Sequence, residues 1–276
     1  YGRNETLQYG ELAPFSTDEC PNLPANFMPS TYAAEALTLE HASSPRYHDT
    51  YTYTQDDWRR YLYAYYRLVE RVDREVGRIV GVLKARGLYD DSAIIFLSDH
   101  GDGVAAHGWN QKWNLQEEVV NVPLIVKAPE GAGLRGVRND EALSNVGLDL
   151  YATVCDYAGV APDPGRYRGR SLRPVAEGRQ TTLHDEVFVE TLLPGPGMRG
   201  WCVVGPRYKY VLYQWGRNRE ALYDLQDDPG EMVNLAVDRR YEAELNRLRR
   251  AMYDWGVRIG DPKLVRNLRP WAEPRN

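Results

Sequence analysis

Ser98-Asp99-His100-Gly101-Asp102-Gly103, followed by Ala106-His107-Gly108-Trp109-Asn110-Gln111-Lys112, gathers carboxylates, imidazoles and an ammonium in one short stretch. A carboxylate beside a neutral imidazole, as at Asp99 and His100, offers two donors to a divalent cation. A lysine and a second histidine fixed nearby suit an oxyanion, because they can stabilise negative charge as it develops. Each residue also has a plainer reading. Asp99 suits the cap of a polar turn, Asp102 ahead of Gly103 suits a turn more than a ligand, and Lys112 alone suits a solvated surface lysine. It is the clustering that makes the stretch a candidate site.

The site needs elements to hold it. The run Ala93-Ile94-Ile95-Phe96-Leu97 follows a turn signal, Tyr89-Asp90-Asp91-Ser92, and is short, apolar and β-branched, which predicts a buried strand. Asp99 then sits at the carboxyl end of a strand, the edge at which open α/β sheets bind ligands. Upstream, Tyr61, Tyr65, Leu68, Val72, Val76, Ile79 and Leu83 recur every three or four residues and predict a helix with one apolar face. Thr54 with Asp57 marks its start and Gly87 its end. Val122 to Val126 predicts a second strand, giving strand, site loop, short helix, strand, and Ser144 to Gly159 predicts another helix; the class is α/β.

Gly165 to Gly178 reads as a connector. Beyond it, Glu186–Glu190, Trp201–Val204, Tyr208–Tyr213 and Leu222–Leu225 predict a small antiparallel sheet. A helix carrying Tyr241, Leu245, Leu248, Met252 and Trp255 on one face is expected to cover it. The division expected is 1–178 and 179–276, the second unit being small and α+β. Residues 1 to about 53, broken by Pro14, Pro21, Pro24, Pro29 and Pro45, read as loop-rich, and Lys263 to Asn276 as a mobile tail.

Composition narrows the function. The 276 residues are 43% hydrophobic, enough for a sizeable core, and the net charge of −5 argues against bulk attraction to nucleic acid or an anionic membrane. No apolar run approaches the roughly 20 residues that span a bilayer. The start, Tyr1-Gly2-Arg3-Asn4, has neither an initiator Met nor a signal segment and reads as a cut, so the compartment stays undetermined. Cys20, Cys155 and Cys202 are expected to be free thiols. Glu117 and Glu118 are adjacent and point apart on a short helix, which gives them structural roles. His41, His48 and His184 read as surface or loop histidines, and Tyr61, Tyr63, Tyr65 and Tyr66 as core plus rim.

The run Ile94 to Gly103, with Ala106 to Lys112 and Val122-Pro123-Leu124-Ile125-Val126, resembles the type I sulfatase family of the alkaline phosphatase superfamily. Asn22 to Phe27, Arg67 to Gly77, Gly169-Arg170-Ser171-Leu172, Arg207-Tyr208-Lys209-Tyr210 and Leu222 to Glu231 extend the resemblance along nearly the whole chain. It implies the C-terminal part of an alkaline-phosphatase-like α/β sandwich with a small antiparallel-sheet subdomain packed by a C-terminal helix. It also implies Asp99 and His100 as ligands of a divalent metal, usually calcium. Imidazole is a poor match for calcium, so magnesium or zinc stays open, as does contact of His100 with the sulfate. Lys112 would hold the sulfate and its bridging oxygen, and His107 would sit near the leaving group as a proton donor.

The family's N-terminal elements are absent, including the paired aspartates that complete the metal site and the upstream histidine that contacts sulfate. The Cys-x-Pro-Ser-Arg or Ser-x-Pro-Ser-Arg sequence that yields the formylglycine nucleophile fits none of Cys20-Pro21-Asn22, Cys155-Asp156-Tyr157 or Cys202-Val203-Val204. The expectation is a formylglycine on a missing N-terminal half of the same protein. That intact protein would hydrolyse a sulfate ester, of a glycan or a small molecule, and this chain alone would be inert. Two other readings stand beside it: a metal-dependent phosphatase or phosphodiesterase of the same superfamily using two zinc ions, and a noncatalytic degenerate sulfatase or carbohydrate-binding remnant.

Overall fold

A computed structural model describes residues 16–43, 48–161, 163, 165 and 167–272. Expectations for Pro14, Pro45 and the His48 side chain lie outside the described residues. In chain order the elements are α1 (Glu35–Ser43), α2 (Gln55–Ala85), β1 (Ile94–Leu97), α3 (Glu117–Val120), β2 (Leu124–Lys127), α4 (Val146–Tyr157) and α5 (Arg173–Ala176). Then follow β3 (Val187–Leu193), β4 (Met198–Val204), β5 (Tyr208–Tyr213), β6 (Glu220–Asp224), α6 (Glu242–Ile259) and α7 (Pro262–Ala272). The α/β class expected from the sequence is the class found.

α2 starts where its sequence says. Thr54 accepts from the Asp57 backbone N–H at 3.2 Å while the Asp57 carboxylate accepts from the Thr54 N–H at 2.9 Å, a reciprocal capping box. Thr54→Ala is expected to cost about 1 kcal/mol, read as a lowered urea midpoint. The first turns of α2 bury Trp58, Tyr61 and Leu62 with Ala105 of the site loop, joined by Phe27 and Val104. Arg59 ties the preceding segment to the helix, donating to the carbonyls of Thr17, Cys20 and Pro21 at 2.9 to 3.0 Å. Farther along, the apolar stripe lies open: Val69, Val72, Ile79 and Val82 are each more than half exposed. A helix of 31 residues is about 46 Å long, and only its N-terminal part is covered by described residues.

β1 and β2 pair antiparallel, with Ile94 opposite Lys127 and Leu97 opposite Leu124. The second sheet runs in the order β3-β4-β5-β6, antiparallel throughout. Its two faces read off the strand alternation. Trp201, Val203, Tyr210, Leu212 and Leu222 pack against Leu245, Leu248 and Met252 of α6 and against Leu264 and Leu268 of α7. Met198, Cys202, Val204, Val211, Tyr213 and Tyr223 face the other way and bury Leu115, just past the site loop, together with Ala34 and Ala36. The sheet thus backs directly onto the candidate site. The three cysteines are free and buried. Among the described residues no helix is long and apolar enough to cross a membrane.

Three expectations need correction. The tail from Lys263 is helix α7 through Ala272, because Asp261 accepts from the backbone N–H groups of Lys263 and Leu264 at 2.9 and 3.1 Å and so caps it, and Leu264 and Leu268 are fully buried. The loop-rich segment contains α1, whose buried Glu40 accepts the Gly195 N–H at 2.8 Å. His184 lies in the loop before β3 but is half-buried rather than solvated: its Nε2 is 3.0 Å from both carboxylate oxygens of fully buried Asp149, which also accepts from the backbone of Asn145 and Arg170. That pairing spans 35 residues of sequence, which no local spacing reveals.

Candidate active site

The site loop begins where β1 ends and is held in an unusual backbone path. Val104, Ala105, His107, Gln111 and Trp113 all have positive φ, between 40° and 81°. A β-branched residue such as Val104 rarely adopts that conformation, and such strain persists only where surrounding contacts over-determine it. Asp102 supplies much of that determination. Its carboxylate accepts from Tyr61 Oη at 2.6 Å, Val104 N–H at 3.0 Å and Gln111 N–H at 3.1 Å, which ties both limbs of the loop to α2. The turn role expected for Asp102 is therefore what the geometry shows. Two glycines permit the close approach: a Cβ on Gly101 would lie 1.9 Å from the Glu118 carbonyl oxygen, and one on Gly103 2.6 Å from that of Trp109.

Three of the four site residues meet. Lys112 Nζ is 2.8 Å from His100 Nε2, and Asp99 Oδ2 is 3.5 Å from the same nitrogen. His100 Nδ1 lies 2.7 Å from the Gly101 carbonyl oxygen, which can only accept, so Nδ1 carries the proton and the Nε2 lone pair faces Lys112. All three residues line one open groove with Trp113 and Asn114. Asp99 is well exposed, its side chain at 84%. Loss of water works to raise its carboxyl, but the His100 backbone N–H and the Lys112 ammonium favour the ionised form, and the group stays below the ordinary carboxylate range. The trio can present a carboxylate and an imidazole lone pair to a cation, and an ammonium to an anionic group beside it.

His107 lies apart from them. It is 7% exposed, in a single 3-10 turn, with its backbone N–H donated to the Asn26 carbonyl at 2.6 Å. Neither ring nitrogen makes a hydrogen bond of good geometry, although the Gly230 carbonyl is close enough to favour a proton there. Burial holds the imidazole below its usual range, with Glu118 pulling the other way. A ring nitrogen of His107 and carboxylate oxygens of Glu118 and Glu231 lie within 4.8 Å of one another. That set has ligand types a metal accepts, yet the Lys209 ammonium already sits 2.8 Å from Glu231 Oε1, and Glu231 Oε2 takes the Glu117 N–H at 2.8 Å. A buried ammonium holds the cation's place.

Burial lifts Glu231 to about 7, with Lys209 opposing the rise. Folded Glu231 therefore keeps a proton that the unfolded chain has released between pH 4.5 and about 7. Its contribution to stability is present below pH 4.5 and is lost as the pH rises to about 7. Glu231→Gln is expected to remove that slope, seen as the difference between the two proteins' urea midpoints across this range.

Lys209, Glu231 and Asn26 were not singled out by sequence. The signal for Lys209 was available: in Tyr208-Lys209-Tyr210-Val211-Leu212-Tyr213 it shares the strand face of Val211 and Tyr213, an inward position for a charge. Glu117 and Glu118 do point to different partners, Lys209 at 3.0 Å and Asn26 Nδ2 at 2.7 Å.

Comparison with known proteins bears on this arrangement. Residues 105–257 match the family described as N-sulphoglucosamine sulphohydrolase, C-terminal, and residues 30–160 the family described as Sulfatase. The Delta 4,5-hexuronate-2-O-sulfatase of Bacteroides thetaiotaomicron is 32% identical, over 96% of this chain and 56% of its own length. A solved 2-O GAG sulfatase superposes with a TM-score of 0.81 at 31% identity, covering 91% of this chain and 56% of that one. The phosphonate monoester hydrolase of Agrobacterium radiobacter gives 0.64 at 25% identity, over 94% and 52%. The chain spans about half the length of these relatives. The family match over residues 105–257 and a fold shared with a sulfatase over nine-tenths of the chain make this protein a member of the sulfatase family of the alkaline phosphatase superfamily, corresponding to its C-terminal portion.

Proposed function

We propose that the chain is the C-terminal portion of a sulfuric ester hydrolase that removes sulfate from a glycan, and that Asp99, His100 and Lys112 are its share of the active site. The observation that carries this reading is their convergence at the end of β1, with Lys112 Nζ 2.8 Å from His100 Nε2. A sulfated uronate as substrate class is supported by the relative named for hexuronate 2-O-sulfate, which matches 96% of this chain.

The proposed division of work follows from the donors. Asp99 and the Nε2 of His100 would hold two positions around a divalent cation once the Lys112 ammonium, 2.8 Å from that nitrogen, turns to the sulfate; the family resemblance favours calcium or magnesium and the imidazole favours zinc. Two donors are an incomplete set, so further ligands would come from outside this chain. When bound, such an ion would supply Lewis-acid stabilisation of a sulfate oxygen. The Gly101 carbonyl fixes the tautomer that puts the lone pair on Nε2. Lys112 binds the sulfate and the bridging oxygen, where charge develops as the S–O bond breaks. His107 fits a supporting role better than direct proton donation, because its ring is buried beside Glu118 and Glu231.

The nucleophile, a formylglycine, is assigned to a part of the protein outside this sequence. The open stripe of α2 at Val69, Val72, Ile79 and Val82 is proposed as a face that part covers. A boundary near residue 178 between a catalytic portion and a smaller α+β unit belongs to the same reading. The test is sulfate release from a 2-O-sulfated unsaturated uronate disaccharide. Full-length protein is expected to turn it over while this chain alone is inert; turnover by the chain alone would remove the need for an outside nucleophile.

A second reading has one observation in its favour, the fold shared with a phosphonate monoester hydrolase over 94% of the chain. A phosphonate monoester would present the same trio with a similar anionic tetrahedral group.

A further inference from the structure

Lys209 is fully buried on the face of the sheet that backs onto the site, and a buried charge there needs a reason. Its Nζ contacts Glu117 Oε1 at 3.0 Å and Glu231 Oε1 at 2.8 Å. Burial works against the ammonium, but Glu231 and Glu117 outweigh it and hold it charged. Glu231 itself has a strained backbone, φ 54°, and reaches over to accept the N–H of Glu117, the first residue of α3. α3 has four residues, too few to be a stable helix alone. Its position depends on what grips it.

From α3 the bonds lead to the site. The Val119 carbonyl accepts the Gly101 N–H at 2.8 Å, and the Gly101 carbonyl in turn takes the His100 Nδ1 proton at 2.7 Å. A second limb supports the same helix: Asn26 donates to Glu118 at 2.7 Å while its carbonyl accepts the His107 N–H. The backbone around Gly101 has no slack, since Glu118 O would lie 1.9 Å from any Cβ there. A shift of α3 therefore moves Gly101, and with it the group that chooses the His100 tautomer.

We propose that Lys209 is a positioning residue for the site: its ion pairs with Glu117 and Glu231 fix α3, and through the Val119–Gly101 hydrogen bond they fix the tautomer and orientation of His100. The C-terminal sheet then serves as the backplate of the site. The inference rests on the reading of His100 as a site residue, but its test uses no turnover, so the two can fail separately.

Removing the ammonium alone strands the buried Glu231 carboxylate and the half-buried Glu117 carboxylate and endangers folding, so two variants are compared in this chain: Lys209→Met/Glu231→Gln, which removes the charge together with one carboxylate, and the milder Glu231→Gln. Leu248→Ala, on the opposite face of the sheet, is the control for general destabilisation. Amide hydrogen exchange at Gly101 and the ring nitrogen shifts of His100 are read by NMR. In the double variant Gly101 is expected to exchange at least tenfold faster and His100 to lose its single Nδ1–H tautomer. Glu231→Gln is expected to move both in the same direction by less, and Leu248→Ala to leave both near the parent. Unchanged Gly101 exchange and His100 shifts in a folded double variant would overturn the proposal. So would equal changes in Leu248→Ala, or failure of both Glu231 variants to fold, which would place the ion pairs in global stability.

Discussion

Replacing Lys112 by Ala in the full-length enzyme is expected to lower sulfate-ester turnover by about two orders of magnitude or more, the size of effect seen when one preorganised donor to a developing oxyanion is removed. On the proposed reading, two contacts hold Lys112 for that task. Its ammonium is 2.8 Å from His100 Nε2, and its carbonyl accepts the Trp109 indole N–H at 3.2 Å, so backbone and side chain are both tied to the loop. The effect is expected mainly in kcat, because charge at the bridging oxygen exists only as the bond breaks. Steady-state kinetics on a sulfated disaccharide would show it. A variant that keeps its kcat would remove Lys112 from the mechanism.

Asp102→Ala is expected to have the largest effect on structure. One carboxylate accepts from Tyr61 Oη, Val104 N–H and Gln111 N–H, and the last two residues themselves have positive φ. Hydrogen bonds to a charged group are each worth about 1.5–3 kcal/mol and do not add fully, so a loss of about 3 kcal/mol is expected. The strain then has nothing to oppose it. Rapid exchange of the backbone amides across 103–111 and a lowered urea midpoint are the readouts; a loop still protected in the variant would mean that the hydrophobic contacts of Val104 and Ala105 with Trp58 suffice.

What the sequence made legible, and what it did not, follows from the range of the interactions. The strand before Asp99, the start of α2 at Thr54, the four-stranded sheet and α6 all depend on neighbours within a few residues, and local patterns record them. α7 escaped notice although Leu264 and Leu268 are four apart, because Pro262, Pro270 and the surrounding charges look like a frayed end until the sheet that buries those leucines is in place. The stripe of α2 was legible as apolar, but periodicity says nothing about what covers it, and Val72 and Ile79 are open here. In the site, the spacing of Asp99, His100 and Lys112 pointed to a cluster that the fold brings together. His107 looked equivalent by sequence, and only the left-handed turn at 104–107 sends it to Glu118 and Glu231 instead. Lys209 reaches Glu117 across 92 residues and Asp149 reaches His184 across 35, contacts that exist only once the chain has folded.

The proposal turns on sulfate as the group bound by Lys112 and by a cation on Asp99 and His100. The direct measurement is the full-length protein's kcat/KM for a 2-O-sulfated uronate disaccharide set beside that for a phosphonate monoester under the same conditions. The account predicts a higher value for the sulfate ester; a higher value for the phosphonate would contradict it.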